Sequence, residues 1–333
     1  MTTALTTPLI SWYEEHAREL PWRQPSFGAW GILVSEFMLQ QTQVSRVIPM
    51  LAAWLERWPT PAALAADEPA EAVRMWGTLG YPRRALWLHR AATQLAQQHG
   101  NTVPDDVDAL LALTGVGDYT ARAVAVFAFG SRHPVVDTNT RRVLARAVDG
   151  RSQPGAPAKR DLDAMLAILP VDAAAAATVN AATMELGAVV CTSRSPRCEA
   201  CPVRAACAWR AAGYPDTGDE RRRQARYEGS DRQARGAALR QLRAQDGLPV
   251  DALLQVAIIL TALRAIVRLP AAHGQLGVAL VGRIESPQAE EVEDAGRAKP
   301  LAAAHAVGPD QVVDHRTVQQ GAQVMRLVQR VGR

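Results

Sequence analysis

The chain has four cysteines, and all fall between positions 191 and 207 with the spacing C-x6-C-x2-C-x5-C. Thiols this crowded, with no cysteine elsewhere to pair with, are metal ligands rather than a disulfide framework. Any fold of this chain must therefore bring Cys191, Cys198, Cys201 and Cys207 around one centre. By ligand type alone, four thiolates suit tetrahedral zinc and an iron–sulfur cluster equally. The loop between the first two ligands carries Arg194 and Arg197, placed to meet phosphate.

Upstream, residues 113 to 146 read LTGVGDYTARAVAVFAFGSRHPVVDTNTRRVLAR. Gly115, Val116 and Gly117 make a tight turn ahead of an apolar-periodic run, Ala121, Val124, Ala125, Phe127 and Ala128, which predicts a helix. A helix start behind a glycine turn offers unpaired N–H groups, a positive dipole end and room for a polyanion's close approach. Further on, Asp137 precedes Thr138, Asn139 and Thr140 and an arginine-rich run. It is either a catalytic carboxylate or a plain helix cap.

The rest of the chain reads as mainly α. A first helix spans 5 to 20, with Leu9, Trp12, Tyr13, His16 and Leu20 near a 3.6 period, and ends at Pro21-Trp22-Arg23. A second spans 30 to 47 and stops at Pro49. Within it Glu36 is flanked by Ile32, Leu33, Val34, Phe37, Met38 and Leu39. Such a carboxylate is either on a water-facing side of an amphipathic helix or is held dry, which raises its pKa. Gln40 and Gln43 continue a polar stripe from Glu36, with Gln41 one step around. Short helices follow from 51 to 100, and Tyr81 sits in a Gly-Tyr-Pro turn as core packing or as a wedge for a base stack. Asp105, Asp106 and Asp108 open a helix into Leu113; beyond a Gly- and Pro-rich loop at 150 to 157, helices are expected over 158–169 and 173–190.

At 333 residues and 48% hydrophobic composition the chain can fill two or more cores. Its apolar runs fall short of the roughly 18 residues a membrane span needs. The N-terminus, with Glu14, Glu15 and Glu19, has no secretory signal, so a cytoplasmic location and no membrane partner are expected. Net charge is +4, but residues 194 to 240 alone hold eleven Lys and Arg against six Asp and Glu. That cluster, Arg221-Arg222-Arg223 included, points to phosphate binding more than to a solvated surface.

The glycine hairpin, Asp137 and the cysteine loop together resemble the helix-hairpin-helix DNA glycosylases of the endonuclease III superfamily. That resemblance implies a [4Fe–4S] cluster on the four cysteines, rather than zinc. Within the superfamily SEFMLQQTQV (35–44), GYPRRA (80–85) and VVDTNTRRVLAR (135–146) are similar to the MutY-type adenine DNA glycosylases, and the likeness spans roughly residues 8 to 215. It implies a monomer that acts on double-stranded DNA containing adenine mispaired with 8-oxoguanine or guanine. Where bifunctional relatives carry a lysine in the hairpin this chain has Tyr119, which implies base removal with little strand cleavage.

Adenine leaves only once protonated, through an oxocarbenium-like sugar, so one carboxylic acid must donate and one carboxylate must stay ionised. Glu36 is suited to the first task, worth about 10²- to 10⁴-fold. By resemblance Asp137 takes the second, stabilising the cation or forming a transient covalent sugar adduct, supported by Asn139 and Tyr119, before a water activated by Glu36 finishes hydrolysis. The resemblance also puts Gln41 and Tyr81 against the flipped-out base's gap, and Trp22, Arg23, Leu39 and Gln40 in the pocket wall. The family's Nudix-like reader of 8-oxoguanine is not found. Instead, 227 to 284 reads as a small winged-helix-like module, and 285 to 333 as a linker or tail with a possible helix at 311–331. A mismatch glycosylase of other base preference, or a non-catalytic iron–sulfur DNA binder, are the competing readings. Intact Glu36, Tyr119 and Asp137 speak against the last.

Overall fold

In the computed structural model the residues described are 2–24 and 26–216, with isolated positions between 230 and 240. The expected C-terminal module, the tail and the Arg221-Arg222-Arg223 cluster lie outside them. Among the described residues the regular structure is helical throughout: α1 Thr2–His16, α2 Gly28–Leu39, α3 Val44–Arg57, α4 Pro61–Ala65, α5 Pro69–Trp76, α6 Arg83–Gln98, α7 Val107–Leu111, α8 Asp118–Phe129, α9 Thr138–Ala147, α10 Lys159–Ile168, α11 Ala173–Val189 and α12 Ala208–Ala211. None of these helices is long and apolar enough to cross a membrane.

Two large hydrophobic cores divide the helices, and a small third cluster of Ala123, Val126 and Val135 packs against Ala177 and Met184 of α11. The first gathers α2 to α8 around Phe37, Leu88 and three fully buried tryptophans, Trp54, Trp58 and Trp76. Their rings meet edge to face, Trp54 with Trp58 at 4.6 Å and with Trp76 at 5.6 Å. The second packs α1, α9, α10 and α11 through Leu9, Leu144, Met165 and Leu186, and reaches the cysteine loop at Val203. Helix α2 is the axis of the first core: every residue from Trp30 to Met38 is buried. A helix apolar all round must be enclosed by others, and α3, α6 and α8 enclose this one.

Three helix boundaries differ from the sequence reading. The expected single helix from 30 to 47 is two, because Gln41 takes a left-handed φ of +55° and Gln43 is extended. The polar stripe from Glu36 to Gln43 is therefore not one helix face. Pro49 lies inside α3 rather than ending it. The stripe Val47, Leu51 and Trp54 packs into the core and carries the helix past the missing N–H bond. Likewise α1 stops at His16, not at 20: the backbone N–H of Arg18 donates to Glu185 Oε1 at 3.3 Å instead of extending the helix.

Candidate active site

Between the two cores lies a cleft of about 1120 Å³, entered by α2, α8, α9 and α11. One of its walls is α8, the second helix of a hairpin made of α7, a turn at residues 112 to 117, and α8. Gly115 has φ +82°, and a Cβ there would stand 2.7 Å from Trp87 Cβ, so this glycine is fixed by the turn and by packing. Gly117 differs: a Cβ would meet nothing within 4 Å. It N-caps α8 without a side-chain bond, leaving the first amides of that helix free of a capping group. Val116 turns its side chain into the first core, so only its backbone can serve a ligand. Gln94 on α6 grips the turn from both sides, accepting from Thr114 N–H at 2.8 Å and donating to Ala112 C=O at 3.3 Å.

At the second residue of α8, Tyr119 hydrogen-bonds Glu36 on α2. Glu36 is 5% exposed, and its Oε2 has no hydrogen-bond partner. Burial pushes its pKa up to about 7; the Tyr119 bond opposes that and the charge of Asp137 adds to it. The Tyr119 hydroxyl is held well above its ordinary value, by burial first and then by Glu36 and Asp137. The alternative of a water-facing Glu36 is thus excluded.

Asp137 is a cap and also a cleft residue. It N-caps α9, accepting from Thr140 N–H at 2.7 Å and from Asn139 Nδ2 at 2.8 Å. Asn139 in turn accepts from Arg142 Nη2 at 2.8 Å, and Arg142 donates onward to Gly187 C=O at 2.6 Å and Cys191 C=O at 2.7 Å. On the far side, Asn180 of α11 accepts from Val135 N–H at 2.8 Å and donates to His133 C=O at 3.0 Å, pinning the extended residues that deliver Asp137.

The cleft brings together Glu36, Tyr119, Asp137, Asn139, Trp22, Arg23, Leu39, Gln40 and Gln41. Tyr81, the hairpin glycines, Arg194 and Arg197 are not among its lining residues. Tyr81 is 56% exposed and has a left-handed φ of +47°. Arg194 is exposed, and Arg197 donates to Val189 C=O at 2.5 Å. Sequence reasoning missed Glu185, 1% exposed in the cleft wall. It accepts from Arg18 Nε at 2.6 Å and Arg23 Nη2 at 2.8 Å. Burial would raise its pKa, but those two arginines hold it below the ordinary value.

All four cysteines line a second cavity, with Arg146, Arg197, Arg204 and Arg210 around them. Arg146 Nη1 lies 3.4 Å from Cys191 Sγ, and its guanidinium stacks 4.8 Å from the Trp209 ring. Among the described residues no three His, Cys, Asp or Glu side chains converge on a point that one ion could occupy. Burial pushes the Cys191 and Cys201 thiols up, Cys201 to about 11, so loading this cavity must displace protons.

A glycine hairpin and an extended carboxylate closing on a buried acid define the class, and residues 34–161 match the family described as HhH-GPD superfamily base excision DNA repair protein. The fold is shared with a thermostable thymine-DNA glycosylase, TM-score 0.58 and 24% identity over 63% of this chain and 97% of that one. It is shared also with an endonuclease III in a non-covalent DNA complex, TM-score 0.55 and 20% identity over 64% and 98%. The adenine DNA glycosylase of Mycolicibacterium smegmatis is 58% identical over 236 residues, 71% of this chain and 79% of the relative. The chain belongs to the adenine DNA glycosylases, the MutY-type branch of the endonuclease III superfamily.

Proposed function

We propose that the protein removes mispaired adenine from duplex DNA in base excision repair, with Glu36 as general acid and Asp137 as the carboxylate facing the sugar. The observation that carries this is the buried Glu36, its pKa raised to about 7 and one oxygen unpartnered, beside Tyr119 and Asp137 in one cleft. A flipped adenine takes the proton of Glu36 on N7; the C1′–N9 bond then breaks, and its electron pair goes to the base. Positive charge left on C1′ and O4′ meets the Asp137 carboxylate. Water adds to C1′ and gives its proton to Glu36, which restores the acid. Asn139 and Tyr119 orient the two carboxyl groups. Trp22, Arg23, Leu39 and Gln40 wall the base, Gln41 and Tyr81 press on the duplex, and the α8 amides behind Gly115, Val116 and Gly117 hold a phosphate.

The cysteines would hold a [4Fe–4S] cluster that pins the C-terminal end of the second core. The donor set fits: four thiols line one cavity whose arginines offset the negative charge of a thiolate-ligated cluster. Arg194 and Arg197 then sit on the loop presented to the DNA backbone. Absorption near about 400 nm with about four irons per chain is expected, and one zinc per chain would overturn the cluster.

Purified protein incubated with duplexes carrying adenine opposite 8-oxoguanine, guanine or cytosine, then treated with alkali, tests the activity and its preference together. Cleavage at adenine opposite the first two is expected; none at any mispair would sink the proposal. Glu36→Gln and Asp137→Asn should each abolish release while duplex binding survives. Borohydride should trap little covalent adduct with Tyr119 in place.

A further inference from the structure

The side chain of Arg84, second residue of α6, is 3% exposed and joins three parts of the molecule that the chemistry uses. Its Nη1 donates to Phe37 C=O at 2.8 Å, Met38 C=O at 3.2 Å and Gln40 C=O at 2.6 Å. Its Nη2 donates to Thr42 Oγ1 at 3.0 Å and Gly80 C=O at 3.0 Å, with Leu79 C=O at 3.4 Å. Phe37 and Met38 supply carbonyls of the last turn of α2, which no amide of that helix can reach, so the cation caps the helix that bears Glu36. Gln40 and Thr42 flank Gln41, and Gly80 precedes Tyr81. Gln41 and Tyr81 are two of the four non-glycine residues with a left-handed φ among those described, at +55° and +47°.

Conformations of that kind persist only where the surroundings over-determine them. Here one guanidinium does so for both, stacked 5.2 Å from the Trp76 ring and 5.6 Å from the Tyr81 ring. No carboxylate is among the groups that act on this cation, and burial lowers its pKa to about 10. Its Nε has no partner.

We propose that Arg84 is a positioning residue for base extrusion: it locks the Gln40–Thr42 turn and the Tyr81 turn at one spacing, so that both engage the duplex as a unit. This rests on the glycosylase reading above. Lysine, with a single ammonium on a flexible stem, cannot bridge the same acceptors.

The test uses the full-length loaded enzyme and a duplex in which 2-aminopurine, which fluoresces when unstacked, replaces the target adenine. Arg84→Lys, Arg84→Gln, Tyr81→Ala and the Arg84→Lys/Tyr81→Ala double variant are compared below their own melting temperatures. Wild-type binding should raise the emission, and Arg84→Lys and Tyr81→Ala should each reduce the extrusion equilibrium by about tenfold. The double variant should be no worse than Tyr81→Ala, because the two act through one device. The descending limb of the single-turnover pH profile should stay where it is, since Arg84 touches no reacting atom. Wild-type emission from both Arg84 variants, full additivity with Tyr81→Ala, or a displaced pH limb would each overturn the proposal. Emission is read without bond cleavage, so failure of the wild type to release adenine sinks the function proposed above and leaves this test standing.

Discussion

At the scale of single residues, Glu36 sets both a pH dependence and a stability cost. Burial, opposed by the Tyr119 bond and reinforced by Asp137, lifts its pKa from 4.5 to about 7. In the proposed role of general acid it must be protonated, so kcat/KM for adenine release should fall about tenfold per pH unit above roughly pH 7 and level off below. A profile flat to about pH 9 would remove Glu36 from the role. For stability the sign is opposite to that of a salt-bridged carboxylate. The native state holds the proton more tightly than the unfolded chain, so stability is lost as pH rises from 4.5 through about 7. The shift corresponds to roughly 3 kcal/mol. Glu36→Gln carries no such cost: urea unfolding should find it more stable than wild type by up to about 3 kcal/mol near pH 8 and equal to it near pH 4. This tension was partly legible in the sequence, where six apolar neighbours surround the glutamate. What local sequence could not settle was its direction of facing, because two of the three helices that enclose α2, α6 and α8, begin tens of residues later.

Among the helices, α11 shows most clearly where legibility fails and why. Its sequence, AAAAATVNAATMELGAV, carries Asn180 and Glu185 in an alanine-rich run, with no local pattern to mark either as buried. Both are buried. The partners of Glu185 lie 167 and 162 residues away, at Arg18 and Arg23, and no local pattern reports a pairing at that distance. The same limit hid the break at Gln41, whose turn is held by Arg84 from another helix. By contrast the cap at Asp137 was legible, because capping is a contact three residues long. Between α9 and α11 there is no slack: a Cβ on Gly187 would stand 2.7 Å from Asn139 Cβ and 2.8 Å from Asn139 O. Gly187→Ala should therefore cost about 1–3 kcal/mol in thermal unfolding. Because Asn139 holds Asp137, adenine release at saturating enzyme should also slow by about tenfold or more. A variant destabilised to that extent but cleaving at the wild-type rate would show that the Asn139 contact is not needed for the chemistry.

On the scale of the whole molecule, the reactive cleft is made by two cores, and the cysteine loop belongs to only one of them. Val203, with Cys191 and Cys201 beside it, packs in the core of α1, α9, α10 and α11. Arg142 and Arg146 of α9 bond the carbonyls of Cys191, Thr192 and Ser193. The spacing of the four cysteines was plain in the sequence; which helices they stabilise was not, since that depends on contacts from α9, whose arginines lie 45 residues or more upstream. The attachment has a consequence that differs from global unfolding. Cys198 is half-buried and stands outside both cores, so Cys198→Ser would remove one ligand of the proposed cluster without opening a cavity. In the full chain it should lower iron content and speed amide exchange in 138–147 and 173–189 by about tenfold, with α2, α3 and α6 unchanged. Asp137 would then be displaced relative to Glu36, and adenine release would fall further than duplex binding. Equal loss of protection across both cores would mean that they unfold as one unit and that the cluster stabilises the whole fold rather than the half that carries Asp137.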